Sequence, residues 1–141
     1  MEDESRLQIG SEHDILLARQ RGRELAAEAG FSGSDLTVVA TAISEIARNI
    51  VEYAMRGEIV LALAREGESL GIVVVARDSG PGIGDVALAM QDGYSTSRSL
   101  GLGLPGARRL MDEFDVDSKP GRGTTVTMKK WLHKPSARVG P

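Results

Sequence analysis

The chain has 141 residues, of which 41% are hydrophobic, and a formal net charge of −3 at pH 7. It has no cysteine, which excludes disulfides and thiolate metal sites, and its small acidic net charge disfavours a general nucleic-acid-binding protein. No apolar run approaches the roughly 18 residues of a membrane span, and no signal-peptide pattern is present, so we expect a cytoplasmic protein without membrane association. The length suits one domain, predicted at residues 1–133, followed by a disordered tail at 134–141.

Two helices are predicted in the first half of the chain. Ser11, followed three residues later by Asp14, resembles a capping box that opens the first helix, and Gly30 is predicted to end it. Ser34 is predicted to cap the second helix, which continues to about Tyr53. Apolar or small residues recur at spacings of three and four, so each helix buries one face. These residues are Ile15, Ala18, Gly22, Leu25, Ala26 and Ala29 in the first helix, and Leu36, Val39, Ile43, Ile46, Ala47, Ile50 and Ala54 in the second.

The second helix also carries a polar face. Glu45, Asn49 and Glu52 lie opposite its apolar face, because residues four and seven positions apart nearly superpose on a helix. Taken alone, this pattern is typical of a solvated helix surface. Asparagine is nevertheless a modest helix former in mid-helix, so Asn49 also invites a functional explanation.

An antiparallel hairpin is predicted after the second helix. Residues 58–65 and 70–77 are apolar, partly alternating runs joined by a turn around Gly67. The second run contains Ile-Val-Val-Val at 72–75, so we expect its strand to be central and covered on at least part of both faces. Asp78 comes directly after this strand.

The remaining predicted elements are short. They are a strand before the first helix, a short helix and a polar, mobile loop after the hairpin, and a helix and two strands near the C-terminus. In chain order they lie at residues 7–10, 83–90, 91–100, 105–111, 114–118 and 124–132. No internal repeat and no second domain is indicated.

Three glycine pairs stand where predicted elements begin or end. They are Gly80-x-Gly82 just after Asp78, Gly101-x-Gly103 before a helix, and Gly121-x-Gly123 before a strand. A lone pair of this kind is usually only a turn, and no parallel βαβ unit or P-loop motif accompanies them, which excludes a Rossmann or P-loop nucleotide site. A glycine loop that leads into a helix N-terminus does suit an anion such as phosphate.

The ordered set of polar helix face and glycine pairs resembles the Bergerat ATP-binding fold, the family that contains DNA gyrase and the histidine kinases. The resemblance covers most of the chain, roughly from Ser11 to Leu132. It implies an α/β sandwich, with a mixed, mostly antiparallel sheet covered on one face by helices, and it implies ATP and Mg²⁺ as ligands.

The resemblance also assigns a role to the residues that would hold the adenine base. Asp78 would accept a hydrogen bond from the adenine amino group, helped by Thr124 through a water molecule. Gly80 and Gly82 would let the loop pass under the base.

A second group of matched residues would hold the phosphates. Asn49 would bind Mg²⁺, which prefers oxygen ligands and keeps several waters. Gly101, Leu102 and Gly103 would bring backbone N–H groups to the phosphates, beneath a lid formed by residues 93–100.

Within this family the chain is most similar to the small serine/threonine kinases of bacterial partner-switching systems, the RsbT-type switch kinases of the stressosome. The similarity rests on residues 89–96, 101–106 and 109–114. It implies that Glu45 is the general base for the attacking serine or threonine hydroxyl. It further implies that STAS-domain proteins are the substrates and that a PP2C-type phosphatase is the later partner.

The chain departs from some relatives at two places. Residues 50–53 lack the histidine that some of them carry after the helix asparagine, and the lid offers Arg98 where some have a lysine. Arg98 is a candidate contact for the γ-phosphate or a solvated side chain. Two other functions remain open, namely an anti-sigma factor kinase that binds a sigma factor directly and a non-catalytic binding module shaped by ATP.

Overall fold

The computed structural model describes residues 4–80 and 103–132 of the chain, and these form three helices and five strands. The predicted element types in these ranges are confirmed, with ends that shift by one to a few residues. The elements are β1 (Ser5–Ile9), α1 (Glu12–Ala29), α2 (Ser34–Tyr53), β2 (Gly57–Glu66), β3 (Ser69–Asp78), α3 (Gly103–Leu110), β4 (Glu113–Lys119) and β5 (Gly123–Trp131). The predicted short helix at 83–90, the lid and the tail lie outside the described residues.

Helix α1 begins and ends as its sequence predicts. The Ser11 hydroxyl accepts a hydrogen bond from the Asp14 backbone N–H at 3.3 Å, and the Asp14 carboxylate accepts one from the backbone N–H of Gly10 at 2.9 Å. Gly30 ends the helix in the left-handed conformation, with φ 111°. The predicted small-residue face is buried, and a Cβ at Gly22 would overlap Ile43, so α1 lies close against α2.

Helix α2 starts one residue later than its predicted cap. The prediction that Ser34 is the N-cap is wrong, because Gly33 holds that position without a side-chain hydrogen bond and Ser34 is the first helical residue. Gly33 has φ 59°, a conformation that strains any residue with a Cβ, so the turn into the helix falls on the glycine. The predicted apolar face is largely buried, and Ile43, Ile46 and Ala47 are at most 1% exposed.

The five strands form one sheet in the order β1-β2-β3-β5-β4, and all four pairings in the described part of the chain are antiparallel. The predicted α/β sandwich is therefore confirmed. The hairpin turns at Gly67, which has φ 63°, and β3 lies at the centre of the sheet as predicted. Ile72 and Val74 on β3 are buried in the core with the helices, whereas Val73 and Val75 on the opposite face are half-buried.

The register of β4 on β5 is fixed at the far end of the two strands. The Trp131 indole N–H donates to the Glu113 carboxylate at 2.7 Å, and the Trp131 backbone N–H donates to the Asp112 carboxylate at 2.8 Å. Trp131 is only 6% exposed, so the donors of these bonds are buried. They hold Ser118 opposite Thr124 at the other end of the pair.

Met55, between α2 and β2, is strained and contributes little packing. It has φ 73° and is 77% exposed. We expect Met55→Gly to raise the free energy of unfolding by about 0.5–1 kcal/mol, because glycine removes a left-handed penalty that exceeds its entropic cost. Urea unfolding measures the change. Met55→Ala keeps a Cβ at the same φ, so a gain of equal size in this control would contradict the explanation.

Candidate nucleotide site

Five residues, one from each strand, lie side by side in a row at one end of the sheet. Successive Cα partners define this line, which we call the terminal row. Its members, in sheet order, are Ile9, Gly57, Asp78, Thr124 and Ser118. Side chains alternate along a strand, so Asp78 shares the helix-covered face with Ala76 and Val74. The terminal row thus places the polar side chains of Asp78, Thr124 and Ser118 side by side at the end of the sheet.

Asp78 closes a tight turn with one of its carboxylate oxygens. The residue is half-buried, and its Oδ1 accepts a hydrogen bond from the backbone N–H of Gly80 at 2.9 Å. A carboxylate has further acceptor capacity on Oδ2. The turn therefore fixes the Asp78 carboxylate and leaves Oδ2 able to accept a hydrogen bond from an amino group of a ligand.

The turn after Asp78 rests on the end of α2. A Cβ at Gly80 would lie 2.6 Å from the Ala54 Cβ, and one at Gly57 would lie 3.1 Å from Cγ2 of Ile50. Both distances are shorter than normal contacts, so only glycine lets the backbone approach α2 this closely. The close approach of Gly80 to α2 is an additional reason for glycine there, whereas its predicted passage under the adenine base stays a prediction. Gly57 adds a second close contact that sequence reasoning missed.

Gly123 lies against the other side of Asp78. It has φ 88°, and a Cβ there would overlap the Asp78 carbonyl oxygen. We expect Gly123→Ala to lower the free energy of unfolding by about 1–3 kcal/mol for the conformation alone, and further for the overlap, and to weaken nucleotide binding more than tenfold. Urea unfolding and nucleotide titration measure the two effects.

Gly121→Ala is the matched control for this prediction. Gly121 also has a positive φ, 79°, but a Cβ there would meet nothing within 4 Å. The control should therefore lose only the conformational part of the stability and should bind nucleotide normally. Equal losses in both variants would show that the contact with Asp78 is unimportant.

The residues on the polar face of α2 differ in their exposure to solvent. Glu45 and Asn49 are half-buried, whereas Glu52, one turn further on, is exposed. At 1.5 Å per residue, Glu45 and Asn49 are about 6 Å apart along the helix axis.

Helix α3, which begins at Gly103, packs against α2. The structure therefore packs the helix that begins at Gly103, the last residue of the second glycine pair, against the helix that carries Glu45 and Asn49.

Thr124 is held by a residue that sequence reasoning did not select. Its Oγ1 lies 2.8 Å from Oγ of Ser118, and the Ser118 hydroxyl donates to the Gly123 carbonyl at 3.1 Å. Thr124 is 9% exposed, so its hydroxyl depends on protein partners. The sequence does contain a signal for Ser118. Phe114, Val116 and Ser118 alternate onto the same, less exposed face of β4, and Ser118 is the polar member of this series.

An ion-pair cluster beside the terminal row lies on the other face of the sheet. Glu58 bonds to Arg6 at 2.7 Å and to Arg77 at 3.2 Å. The hydrogen bond from Arg6, followed by the charges of both arginines and the bond from Arg77, holds the pKa of Glu58 below its usual value. Glu58 is therefore anionic at neutral pH and points away from the Asp78 face, so it is not a candidate proton acceptor for this site.

Four of the predicted contacts lie outside the described residues, namely Gly82, Gly101, Leu102 and Arg98. The described part of the chain contains no cluster of three or more His, Asp or Glu residues able to hold a metal. None of its helices is long and apolar enough to cross a membrane.

Comparison with known proteins extends over nearly the whole chain. A family model described as a histidine kinase-like ATPase domain matches residues 12–130. The serine/threonine-protein kinase RsbT of Bacillus subtilis is 48% identical over 132 residues, covering 94% of this chain and 99% of that protein. An anti-sigma F factor of Thermoanaerobacter sp. strain X514 is 31% identical over 104 residues, covering 70% of this chain and 71% of that protein.

A solved structure shares the fold. The crystal structure of the RsbU and RsbW domains of a Mycobacterium tuberculosis protein matches with a TM-score of 0.57 and 26% identity, over 90% of this chain and 31% of that one. The chain therefore corresponds to about a third of that longer protein. The segment matched by the family model includes both α2 and the Asp78, Thr124 and Ser118 positions.

Proposed function

We propose that this chain, which belongs to the family of histidine kinase-like ATPase domains, transfers the γ-phosphate of MgATP to STAS-domain proteins of the stressosome and then activates a PP2C-type phosphatase in the general stress response. The chain is a serine/threonine-protein kinase, as its 48% identity to RsbT over nearly its whole length shows. Its substrates, its metal and its second partner are the proposed part. The observation that carries the proposal is the terminal row, with the half-buried carboxylate of Asp78, set against the end of the helix that bears Glu45 and Asn49.

Asp78 is proposed to recognise adenine. Its Oδ1 is occupied by the Gly80 N–H, so Oδ2 is the oxygen for the amino group of the base. Gly80 brings the backbone close to α2 and leaves room beside the carboxylate, and Gly82 continues the same loop in sequence. Thr124 is the neighbouring hydroxyl in the terminal row, and it contributes through a water molecule.

Asn49 is proposed to be the side-chain ligand of Mg²⁺. The described residues offer no cage of carboxylates, and this suits a metal held by one amide oxygen, phosphate oxygens and water. When bound, Mg²⁺ neutralises charge on the phosphates. Gly101, Leu102 and Gly103 are proposed to donate backbone N–H groups to the same phosphates, since Gly103 begins α3 beside α2.

Glu45 is proposed to be the general base. The hydroxyl of the substrate serine or threonine loses its proton to the Glu45 carboxylate while its oxygen bonds to the γ-phosphorus. The bond from that phosphorus to the β–γ bridging oxygen breaks, and ADP leaves with that oxygen. Phosphoryl transfer depends mainly on positioning and charge neutralisation, so a single carboxylate one helical turn from Asn49 is sufficient.

The relationship to the anti-sigma F factors favours a second candidate. Their 31% identity covers 70% of this chain, so a kinase that binds a sigma factor directly and holds it inactive would use the same scaffold. Purification of the tagged chain from its own cell separates the two functions. A phosphatase among the bound proteins supports the switch kinase, and a sigma factor supports the alternative.

The decisive experiment is phosphate transfer from γ-labelled ATP, with Mg²⁺, to a STAS-domain protein encoded beside this chain. We expect label on a serine or threonine of that protein, removable by a serine/threonine phosphatase. The control is the same reaction with EDTA, which should abolish transfer. Demonstrated ATP binding without transfer to the STAS-domain protein would overturn the proposal and favour the anti-sigma kinase or a binding module shaped by ATP.

A further inference from the structure

We infer that Tyr53 stacks on the nucleotide base and so recognises the flat face of adenine, whose edge is bound by Asp78. The inference rests on the proposed function, because it adds a contact to the same nucleotide site. Tyr53 is the last residue of α2, and it is 51% exposed. Its ring is therefore accessible to a ligand.

Tyr53 differs from the other aromatic residues in the described part of the chain. Phe31 and Trp131 are buried, at 4% and 6% exposure, and Phe114 is half-buried against the core. Their rings contribute to packing, whereas half of Tyr53 remains in contact with solvent. An exposed aromatic ring can stack on another flat, apolar ring, and a nucleotide base is such a ring.

The flank of α2 that carries Tyr53 also carries Asn49. The two residues are one helical turn apart, about 6 Å along the axis. Arg48 lies on the flank beside α1, since its guanidinium is 3.5 Å from the Glu12 carboxylate. Successive residues of a helix are about 100° apart, so Asn49 and Tyr53 are turned about 100° and about 140° away from Arg48. They therefore lie on the flank of α2 that α1 does not cover.

This flank faces the half of the sheet that contains β5 and β4. Helix α1 packs against β1, β2 and β3, whereas α3 packs against α2 and leads into β4. The Lys130 ammonium on β5 donates to the carbonyl of Leu110, the last residue of α3, so α3 lies on the β5 side. Asp78 ends the strand beside β5, and its partner Thr124 lies on β5 itself. Tyr53 is thus on the same side of α2 as the proposed base site.

The end of α2 also contacts the turn that fixes Asp78. Ala54, the residue after Tyr53, is so close to Gly80 that a Cβ added to Gly80 would lie 2.6 Å from the Ala54 Cβ. Gly80 in turn donates its backbone N–H to the Asp78 carboxylate at 2.9 Å. Tyr53 is therefore one residue from the turn that holds the base acceptor and one helical turn from Asn49. A nucleotide that extends from Asp78 to Asn49 passes the Tyr53 ring.

The test measures dissociation constants by calorimetry, with Mg²⁺, for three ligands. ATP has the base and its amino group, purine riboside triphosphate has the ring without the amino group, and ribose 5-triphosphate has no base. We expect Tyr53→Ala to weaken the first two equally, by about 5- to 50-fold, because stacking needs only the face of the ring. The affinity for ribose 5-triphosphate should change by less than about twofold, because that ligand has nothing to stack.

Two further variants separate the ring from other effects. Tyr53→Phe keeps the aromatic ring and should bind ATP within about twofold of the unaltered chain. Met55→Ala shortens a side chain that is 77% exposed, two residues further on, and should leave all three affinities unchanged. Normal binding of ribose 5-triphosphate by Tyr53→Ala shows that this variant is folded.

Each other outcome overturns the inference in a distinguishable way. Weakening of ATP alone by Tyr53→Ala would show an effect through Asp78, and equal weakening of all three ligands would show a structural role at the end of α2. Unchanged ATP binding would leave Tyr53 without a role, and an equal loss in Tyr53→Phe would assign the effect to the hydroxyl. If the unaltered chain binds no ATP, the proposed function fails together with this inference. If it binds ATP and phosphorylates its substrate, only the role of Tyr53 is in question.

Discussion

Replacing Glu45 by glutamine should reduce phosphate transfer by about 10²- to 10⁴-fold and leave the affinity for MgATP within about twofold of its original value. Glutamine keeps the size of the side chain and its place on α2 but cannot accept the substrate proton. Glu45 is half-buried, and a side chain of the same size should leave the packing of α2 unchanged. Initial rates of label transfer at saturating ATP, together with ATP titration, measure both effects.

Glu52→Gln is the matched control for Glu45→Gln. It removes the same charge from the same polar face of α2, but at an exposed position about two turns nearer the C-terminus. Its transfer rate should equal that of the unaltered chain. Near-normal transfer by Glu45→Gln would remove the assigned base, and equal losses in both variants would point to the charge of the helix surface instead.

Asp78→Asn should weaken ATP binding by about 10- to 100-fold, because a hydrogen bond to a charged group contributes about 1.5–3 kcal/mol. Asparagine can keep its Oδ1 bonded to the Gly80 N–H, which leaves the turn in place. Its amide NH₂ then stands where Oδ2 was and faces the adenine amino group, so that two donors meet. The variant should correspondingly lose less affinity for inosine triphosphate, whose base presents an oxygen there.

Asp117→Asn is the control for Asp78→Asn. Asp117 is an exposed carboxylate on β4, on the opposite face of the sheet, so its loss changes the net charge equally without touching the terminal row. Calorimetric titration should give an unchanged ATP affinity for this variant. If Asp78→Asn binds ATP as tightly as Asp117→Asn does, Asp78 does not hold the base.

Elements with local signals were predictable from the sequence. Helix α1 is marked by Ser11 at its start, by Gly30 at its end and by a regular apolar spacing between them, and each signal lies within a few residues of the structure it specifies. The cap of α2 was misplaced because Gly33 and Ser34 are both good cap residues. Only the backbone conformation at Gly33 decides between them.

The candidate site was predictable in part, for the same reason. Asp78 and Gly80 form a local motif, and their hydrogen bond spans only two residues. Ser118 and Gly57 gain their roles from strand register, which joins residues far apart in the chain. Gly57 must be glycine because of Arg77, Asp78 and Ile50, and no window of neighbouring sequence contains all three.

The position of β5 between β3 and β4 determines when, during synthesis, the nucleotide site can be completed. Asp78 leaves the ribosome with the β2–β3 hairpin, which can form from neighbouring residues, whereas β4 is made before β5 yet reaches the sheet only through it. Closing such long-range contacts is the slow part of folding. The terminal row is therefore completed by the last strand in the described chain, so a nascent kinase lacks its full adenine-binding row until β5 has inserted.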